Sequence, residues 1–119
     1  MNSPRSFTDL EVWQRSMDLV DLAYACTKKL PRAEFDLRRQ IRDAAVSIPA
    51  NVAEGYRRRR RQAYQNHVSI AMGSHAEMQT ELEVAFRNGL LDRAEWRPVT
   101  LLSDRVGARL YRLYASLEA

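Results

Sequence analysis

Residues 61–88 read RQAYQNHVSIAMGSHAEMQTELEVAFRN and form the longest uninterrupted helical pattern in the chain. Its inward positions recur at alternating intervals of four and three, namely Tyr64, Val68, Ala71, His75, Met78, Leu82 and Ala85. This spacing predicts a long amphipathic helix. Gly89 follows directly, and a glycine there predicts a left-handed cap that ends the helix.

Three further segments show the same periodicity and predict helices over about 9–29, 33–54 and 93–118. Helix one has an apolar stripe at Leu10, Trp13, Met17, Val20, Tyr24 and Thr27. Helix two has one at Leu37, Ile41, Ala44, Ile48 and Val52, with Gly55 as the expected stop. Helix four has one at Val99, Leu102, Val106, Leu110, Leu113 and Leu117.

The starts of two helices carry capping-box sequences. Thr8 with Glu11 predicts the start of helix one, and Asp92 with Glu95 predicts that of helix four. Pro98 lies too deep for a first turn, so helix four is expected to start twice, as a turn over 93–96 and a main helix from 97 or 98.

A proline lies inside helix two. Pro49 cannot donate a hydrogen bond to the carbonyl of Ala45, and it disfavours helical geometry at Ile48. We therefore expect a kink near Ser47–Pro49, or two short helices that abut there.

Four long helices with short connections, and no segment with period-two alternation, predict an all-α fold. The expected architecture is an antiparallel up-down-up-down four-helix bundle over 1–119, a single domain. Helix one has a second apolar repeat at Val12, Leu19 and Cys26. This repeat is either part of a wide core-facing stripe or a face that meets another subunit.

The charge of the chain is concentrated in one run. The 119 residues include 19 basic and 15 acidic side chains, for a net charge of +4. Arg57, Arg58, Arg59, Arg60 and Arg61 are consecutive, so the rest of the chain is close to neutral. We call Arg57–Arg61 the arginine run. A basic excess of this kind favours an anionic partner such as nucleic acid or lipid.

Composition also bears on the compartment. A single cysteine, Cys26, excludes an intrachain disulfide framework and fits a reducing environment. No apolar stretch approaches about 18 residues, and Met1–Arg5 lacks the apolar core of a signal peptide. We expect a cytoplasmic protein without a membrane partner.

Signatures of enzymes and metal sites are missing from the sequence. It has no nucleophile motif of the Gly-x-Ser-x-Gly type, and its four glycines are far apart, unlike a phosphate-binding loop. His67 and His75 are eight residues apart rather than four, and no Glu-x-x-His pair occurs. We expect no enzyme activity, no metal and no cofactor. His75 is expected to be a hydrogen-bonded core residue rather than an inter-subunit contact.

Three interpretations of the arginine run stay open from the residues alone. It is a solubilising loop, a site for the nucleic-acid backbone, or a contact to an anionic membrane. A phosphate bound at the start of helix three would offset the repulsion among the guanidinium groups and satisfy helix-end amides. Tyr56 and Tyr64 flank the run and either stack on bases or pack in the bundle.

Two smaller charged groups accompany the run. Arg38, Arg39 and Arg42 are expected to lie on a salt-bridged surface, with Arg39 paired to Asp43, or else to add basic contacts to the nucleic-acid site. Glu77, Glu81 and Glu83 are expected on a solvated or salt-bridged face of helix three, with Arg87 close enough to balance part of their charge, or else at a contact with another subunit.

The stretch Gln40–Gly55, with Ser-Ile-Pro-Ala-Asn-Val-Ala-Glu-Gly at its end, resembles the signature of a known family. These are the four-helix-bundle proteins encoded in intervening sequences of bacterial 23S ribosomal RNA. Leu10–Gln14, Leu30–Pro31 and Ile70–Ser74 are similar to that family as well. The sequence departs from the pattern at His75 and in the density of the arginine run.

The resemblance implies a bacterial four-helix bundle that assembles into a ring-like pentamer and has no established enzymatic activity. A similar protein, the accessory factor of diversity-generating retroelements, forms a basic barrel that binds nucleic acid and a reverse transcriptase. We therefore expect a homo-oligomer whose arginine run binds RNA or DNA backbone. The alternative is a protein-interaction scaffold with a protein partner and no role in nucleic-acid binding.

Overall fold

The computed structural model describes residues 6–118, and every regular element within them is helical. The four helices are α1 (Glu11–Thr27), α2 (Phe35–Arg57), α3 (Arg61–Arg87) and α4 (Arg93–Ser116). Short 3-10 turns at Phe7–Asp9 and Arg32–Glu34 precede α1 and α2. No strand occurs in residues 6–118, so the predicted all-α class is confirmed. Met1–Arg5, on which the expectation of no signal peptide rests, lie outside the described residues.

Helices that follow one another in sequence pack side by side, and α1 also contacts α4. The contacts give the directions. Ser47 on α2 meets Ser74 on α3, while Asn51, one turn further along α2, meets His67, about two turns earlier on α3. Gln65 and His75 on α3 reach Tyr114 and Ser103 on α4 in the same reversed order. Each of these pairs of helices is therefore antiparallel.

The core confirms the predicted stripes of α2, α3 and α4. Its largest fully buried side chains on these helices are Ile41, Ile48, Val52, Val68, Met78, Leu82, Val99, Val106 and Leu110. Gly89 adopts a φ of 73° after α3, and its neighbour Leu90 donates to the carbonyl of Ala85 at 2.9 Å. The predicted left-handed cap is thus confirmed, and it turns the chain toward α4.

The predicted orientation of α1 is partly wrong, because Thr27 is the one residue of its predicted main stripe that is buried. The repeat Val12, Leu19 and Cys26 is buried, so the alternative of a wide core-facing stripe is confirmed for these residues. Met17 and Tyr24, from the main predicted stripe, are 37% and 40% exposed. Leu10, Trp13 and Val20 lie at the edge of the core, partly buried. The apolar surface that α1 leaves for other contacts therefore lies around Met17 and Tyr24.

The start of α1 also differs from prediction. Leu10 is the N-cap and has no side-chain hydrogen bond, so the box between Thr8 and Glu11 does not form. Ser6 instead accepts from the Thr8 amide at 3.2 Å and caps the 3-10 turn. The ring of Phe7 packs edge-on against Trp13, with centroids 5.4 Å apart.

Both internal prolines lie within continuous helices. α4 starts once, from a complete capping box in which Asp92 and Glu95 bond each other's amides, so the expected double start at Pro98 is wrong. Pro98 and Ala94 are both exposed, and water can reach the Ala94 carbonyl that the proline leaves without a donor. α2 runs unbroken through Pro49, which excludes two abutting helices, while the kink near Ser47–Pro49 stays a prediction.

Candidate nucleic-acid interface

The arginine run is divided among three structural elements at the α2–α3 joint. Arg57 is the last residue of α2, Arg58 to Arg60 form the connection, and Arg61 is the first residue of α3. Arg58 keeps helical geometry, and its amide bonds the carbonyls of Glu54 and Gly55. Gly55 was expected to stop the helix, but α2 continues two residues past it.

Arg59 makes the turn between the two helices. Its φ is 58°, the one positive φ found at a non-glycine residue in 6–118. This left-handed geometry costs an L-residue about 1–2 kcal/mol, and glycine normally occupies it. The chain therefore carries a guanidinium group at a position where the backbone disfavours any side chain.

All five side chains of the run are exposed, and two of them have partners within the protein. Arg58 pairs with Glu54 at 2.8 Å, and this hydrogen bond, with His67 nearby, holds the pKa of Glu54 below its usual value. Arg61 Nη1 donates to the carbonyl of Leu117 at the end of α4, at 3.2 Å. Arg57, Arg59 and Arg60 make no ion pair or side-chain hydrogen bond with any residue of 6–118.

The start of α3 adds partial positive charge from backbone amides that no side chain caps. Its N-cap is Arg60, which makes no side-chain cap, and its first turn contains no acidic residue. The contrast with α4 is direct, since there Asp92 and Glu95 close a full capping box. The first amides of α3 and the positive end of its dipole thus face solvent beside the unpaired arginines.

Close packing fixes the joint. A Cβ on Gly55 would stand 2.7 Å from the Cβ of His67, so α2 and α3 approach each other where only glycine fits. One turn earlier on α2, Asn51 Oδ1 lies 3.1 Å from His67 Nδ1. The run therefore lies at a closely packed corner between α2 and α3.

The two tyrosines that flank the run pack on each other. Their rings meet edge to face with centroids 5.9 Å apart. The hydroxyl of Tyr64 is buried without a partner in the described residues, and burial raises the pKa of Tyr64 to about 12. Tyr64 thus follows the bundle-packing alternative and is not available to stack on a base.

The second basic group mainly holds α1 and α2 together. Arg38 donates to the carbonyls of Thr27 and Leu30 at 3.1 and 2.7 Å. Arg42 donates to Thr27 Oγ1 at 2.9 Å and lies 4.4 Å above the ring of Tyr24. These guanidinium groups satisfy carbonyls that the end of α1 leaves free.

Arg39 has a different partner from the one predicted. It pairs with Asp36 at 3.0 Å rather than with Asp43, and both side chains are largely exposed. Either spacing suits a helical ion pair, i to i+3 or i to i+4, so the sequence alone does not choose.

His75 is a hydrogen-bonded residue of the α3–α4 contact, as predicted. Its Nε2 lies 2.7 Å from the carbonyl of Ser103 and 3.0 Å from the hydroxyl of the same residue. Gly107 provides the space, because a Cβ there would stand 2.6 Å from His75 Cε1. A polar residue on the inner stripe of α3 is thus matched by a serine and a glycine on α4.

The acidic face of α3 is only partly solvated. Glu83 pairs with Arg87 at 2.8 Å, as the proximity of Arg87 suggested. Glu81 contradicts the prediction: its Oε1 is buried without a partner in the described residues. Burial, together with Glu77 and Asp43 nearby, raises the pKa of Glu81 to about 7.

Other reactive groups offer little chemistry. Cys26 is buried, and burial raises the pKa of its thiol to about 11, so it stays protonated at neutral pH. Within residues 6–118, no group of three or more His, Cys, Asp or Glu side chains is placed to hold a metal ion. None of the helices described is both long and apolar enough to span a membrane.

Comparison with known protein families gives a match over most of the chain. Residues 8–112 match the family described as "23S rRNA-intervening sequence protein". The chain belongs to this family. The Gln40–Gly55 signature lies in α2, just before the arginine run. The segment by which this 23S rRNA-intervening sequence protein resembles its family therefore also positions the candidate site.

A solved structure supports the same architecture. The chain is similar to a protein of unknown function from the S23 ribosomal protein family of Bacteroides thetaiotaomicron, at 23% identity and a TM-score of 0.81. The alignment covers 87% of this chain and 97% of that one, which shows a shared fold. No curated protein matches the sequence.

Proposed function

We propose that this 23S rRNA-intervening sequence protein is a non-enzymatic, cytoplasmic, homo-oligomeric bundle that binds the backbone of RNA or DNA through Arg57, Arg58, Arg59, Arg60 and Arg61. One observation carries the proposal: three exposed guanidinium groups without internal partners lie on the corner where α3 begins. The connection holds Arg59 at a positive φ that disfavours a side chain. A partner that binds these charges gives a physical reason for that placement.

Phosphate groups fit this corner chemically. Guanidinium groups bind phosphate oxygens with paired, charge-assisted hydrogen bonds, and the uncapped amides of α3 add neutral donors. Arg38 and Arg42 contribute positive potential, but their nitrogens already bond the end of α1. The proposed contacts are to the backbone and carry no sequence information.

The dependence of RNA affinity on salt tests the proposal. Binding of a labelled structured RNA is measured by fluorescence anisotropy at several KCl concentrations, for the native protein and for Arg57→Gln/Arg59→Gln/Arg60→Gln. Each phosphate neutralised adds about 0.7–0.9 to the log–log slope. The triple variant should therefore bind more weakly and with a slope shallower by about 2.

A matched control removes the same charge elsewhere. Arg97, Arg105 and Arg112 are exposed on α4 and have no partner within residues 6–118, so their triple change to Gln lowers net charge equally. This control should keep most of the native slope. Equal slopes for the two triple variants would show general charge attraction and overturn the assignment to the run.

Exposed apolar residues support the proposal of a homo-oligomer. Large apolar or aromatic side chains on all four helices are exposed to solvent, namely Met17, Tyr24, Phe35, Val46, Ile70, Val84, Leu101 and Tyr111. A pentamer, the number that the family resemblance implies, has a mass of about 69 kDa, five times 13.8 kDa. A ring would repeat the run and raise avidity if one RNA spans several copies. Light scattering that gives 13.8 kDa at micromolar concentration would exclude this assembly.

A protein-interaction scaffold is the second candidate function. It is favoured by Phe35 and Tyr111, aromatic side chains that are 61% and 63% exposed. Affinity capture from lysate with and without nuclease separates the two functions. A partner that persists after nuclease treatment and is lost on Phe35→Ser or Tyr111→Ser would favour the scaffold.

A further inference from the structure

A polar groove lies beside the arginine run, between the first turns of α3 and the end of α4. Its volume is about 530 Å³, within the range of about 300–1,000 Å³ that is typical of small-ligand sites. The polar and aromatic residues that line it are Arg60, Gln62, Gln65, Asn66, Ser69 and Tyr114. None of the residues that line it is acidic.

The groups that line the groove are free to bind. Gln62, Asn66 and Ser69 make no side-chain hydrogen bond with any residue of 6–118, and neither does Arg60. Gln65 donates one weak hydrogen bond to the Tyr114 carbonyl at 3.4 Å, and its own carbonyl oxygen has no partner in the described residues. The groove therefore offers carboxamides, a hydroxyl and a guanidinium group at once.

This combination matches the chemistry of an unstacked nucleotide. Carboxamides donate and accept hydrogen bonds as the edges of bases do, and an aromatic ring offers a surface on which a base stacks. A guanidinium group pairs with the phosphate of the same nucleotide. In a duplex the bases are paired and stacked, so only a single strand can present all three contacts.

We propose that the groove binds one unstacked nucleotide of single-stranded nucleic acid, with its phosphate at Arg60 and its base against Tyr114 and the carboxamides of Gln62, Gln65 and Asn66. The inference rests on the proposed function, because the arginine run supplies the backbone affinity. It adds a preference for single strands that the run alone does not provide. The shared ligand chemistry comes from RNA or from single-stranded DNA.

The test compares affinity for single strands and duplexes in matched tyrosine variants. Fluorescence anisotropy is measured with a short labelled RNA strand, the same strand as DNA, and the RNA duplex. Tyr114→Leu should weaken binding of a single strand at least about fivefold, since stacking on an aromatic ring is worth that or more. Duplex affinity should not change, and Tyr114→Phe should behave as the native protein.

Tyr111→Leu is the matched control, because Tyr111 is 63% exposed on the same helix and does not line the groove. It should leave the ratio of single-strand to duplex affinity unchanged, because any loss of assembly at Tyr111 would lower both affinities alike. A second pair avoids any loss of packing: Asn66→Asp places a carboxylate in the groove, while Asn88→Asp adds the same charge beyond the far end of α3. Only Asn66→Asp should reduce binding of the single strand.

The outcomes separate the groove from the run. If native protein binds duplex as tightly as either single strand, or if Tyr114→Leu and Tyr111→Leu behave alike, the groove assignment is wrong while the backbone site stands. If Arg57→Gln/Arg59→Gln/Arg60→Gln leaves every affinity unchanged, the backbone site itself is wrong. A preference for the RNA or the DNA strand identifies which source of the nucleotide the groove takes.

Discussion

Gly107 on α4 lies directly against the imidazole of His75 on α3. A Cβ on Gly107 would stand 2.6 Å from His75 Cε1 and 3.1 Å from Nε2. The ring cannot simply move aside, because Nε2 bonds both the carbonyl and the hydroxyl of Ser103. A small residue on one helix and a polar residue on the next thus form a single packing unit.

Gly107→Ala is therefore expected to destabilise the fold by about 1–3 kcal/mol, as overpacking does in other cores. Gly73→Ala is the control, since Gly73 is also helical but a Cβ there has open space. It should stabilise by about 0.5–1 kcal/mol, the usual gain of Ala over Gly in a helix. Urea unfolding followed by circular dichroism measures both. Equal changes in unfolding free energy for the two variants would show that His75 leaves room for a Cβ on Gly107.

Arg42 is expected to be important for stability rather than for binding. Arg42→Ala removes a hydrogen bond to Thr27 Oγ1 and a cation–π contact to Tyr24. The expected loss is about 1–3 kcal/mol by thermal or urea unfolding. Arg39→Ala removes the same charge one turn away but breaks only an exposed pair with Asp36, so it should cost under about 0.5 kcal/mol. Similar losses in the two variants would contradict a structural role for Arg42.

The errors in predicting α1 have a physical cause. Its buried face includes Ser16, which the predicted stripe omits and whose hydroxyl donates to the carbonyl of Val12 at 2.6 Å. Because such hydroxyls satisfy themselves within the helix, they enter the core without appearing apolar in the sequence. Met17 and Tyr24 are larger and more apolar than Ser16. Hydrophobic periodicity therefore predicts that they face the core, although both are exposed.

The candidate site was predictable in composition and in place but not in detail. Five consecutive arginines before the pattern of α3 locate the run at the joint. The division among helix end, left-handed turn and N-cap depends on how closely α2 and α3 approach at Gly55, which is a tertiary contact. The polar groove was missed, since Tyr114 and Gln65 are far apart in sequence and meet only through the antiparallel packing of α3 and α4.

The raised pKa of Glu81 predicts that the stability of the fold decreases as pH rises. Its pKa is raised to about 7 from an ordinary value of 4.5, so between these values the folded state binds more protons than the unfolded state. The contribution of protonated Glu81 to the free energy of unfolding is therefore fully present below about pH 4.5. It is lost as the pH rises to about 7 and beyond. Because solvent partly screens this side chain, the expected loss is on the order of 1 kcal/mol.

Glu81→Gln should remove this pH dependence and be more stable than the native protein at pH 8. Glu83→Gln is the control, since Glu83 pairs with Arg87 on the surface and should leave the pH profile unchanged. Both are followed by urea unfolding at pH 5 and pH 8, and the difference from native protein isolates Glu81 from Glu77 and Asp43. A native profile in Glu81→Gln would place the titration elsewhere.

The backbone at Arg59 predicts that stability and binding change in opposite directions. Arg59→Gly relieves a φ of 58° and should stabilise the protein by about 1 kcal/mol, while it removes one phosphate contact and weakens RNA binding. Arg60→Gly removes the same charge from an extended residue with φ of −124°, so it should weaken binding and also destabilise by about 0.5–1 kcal/mol. Thermal unfolding and RNA anisotropy on the two variants measure both effects. If Arg59→Gly gains stability and keeps full RNA affinity, the run includes a guanidinium group that binds no phosphate, and the contact must be assigned to its neighbours.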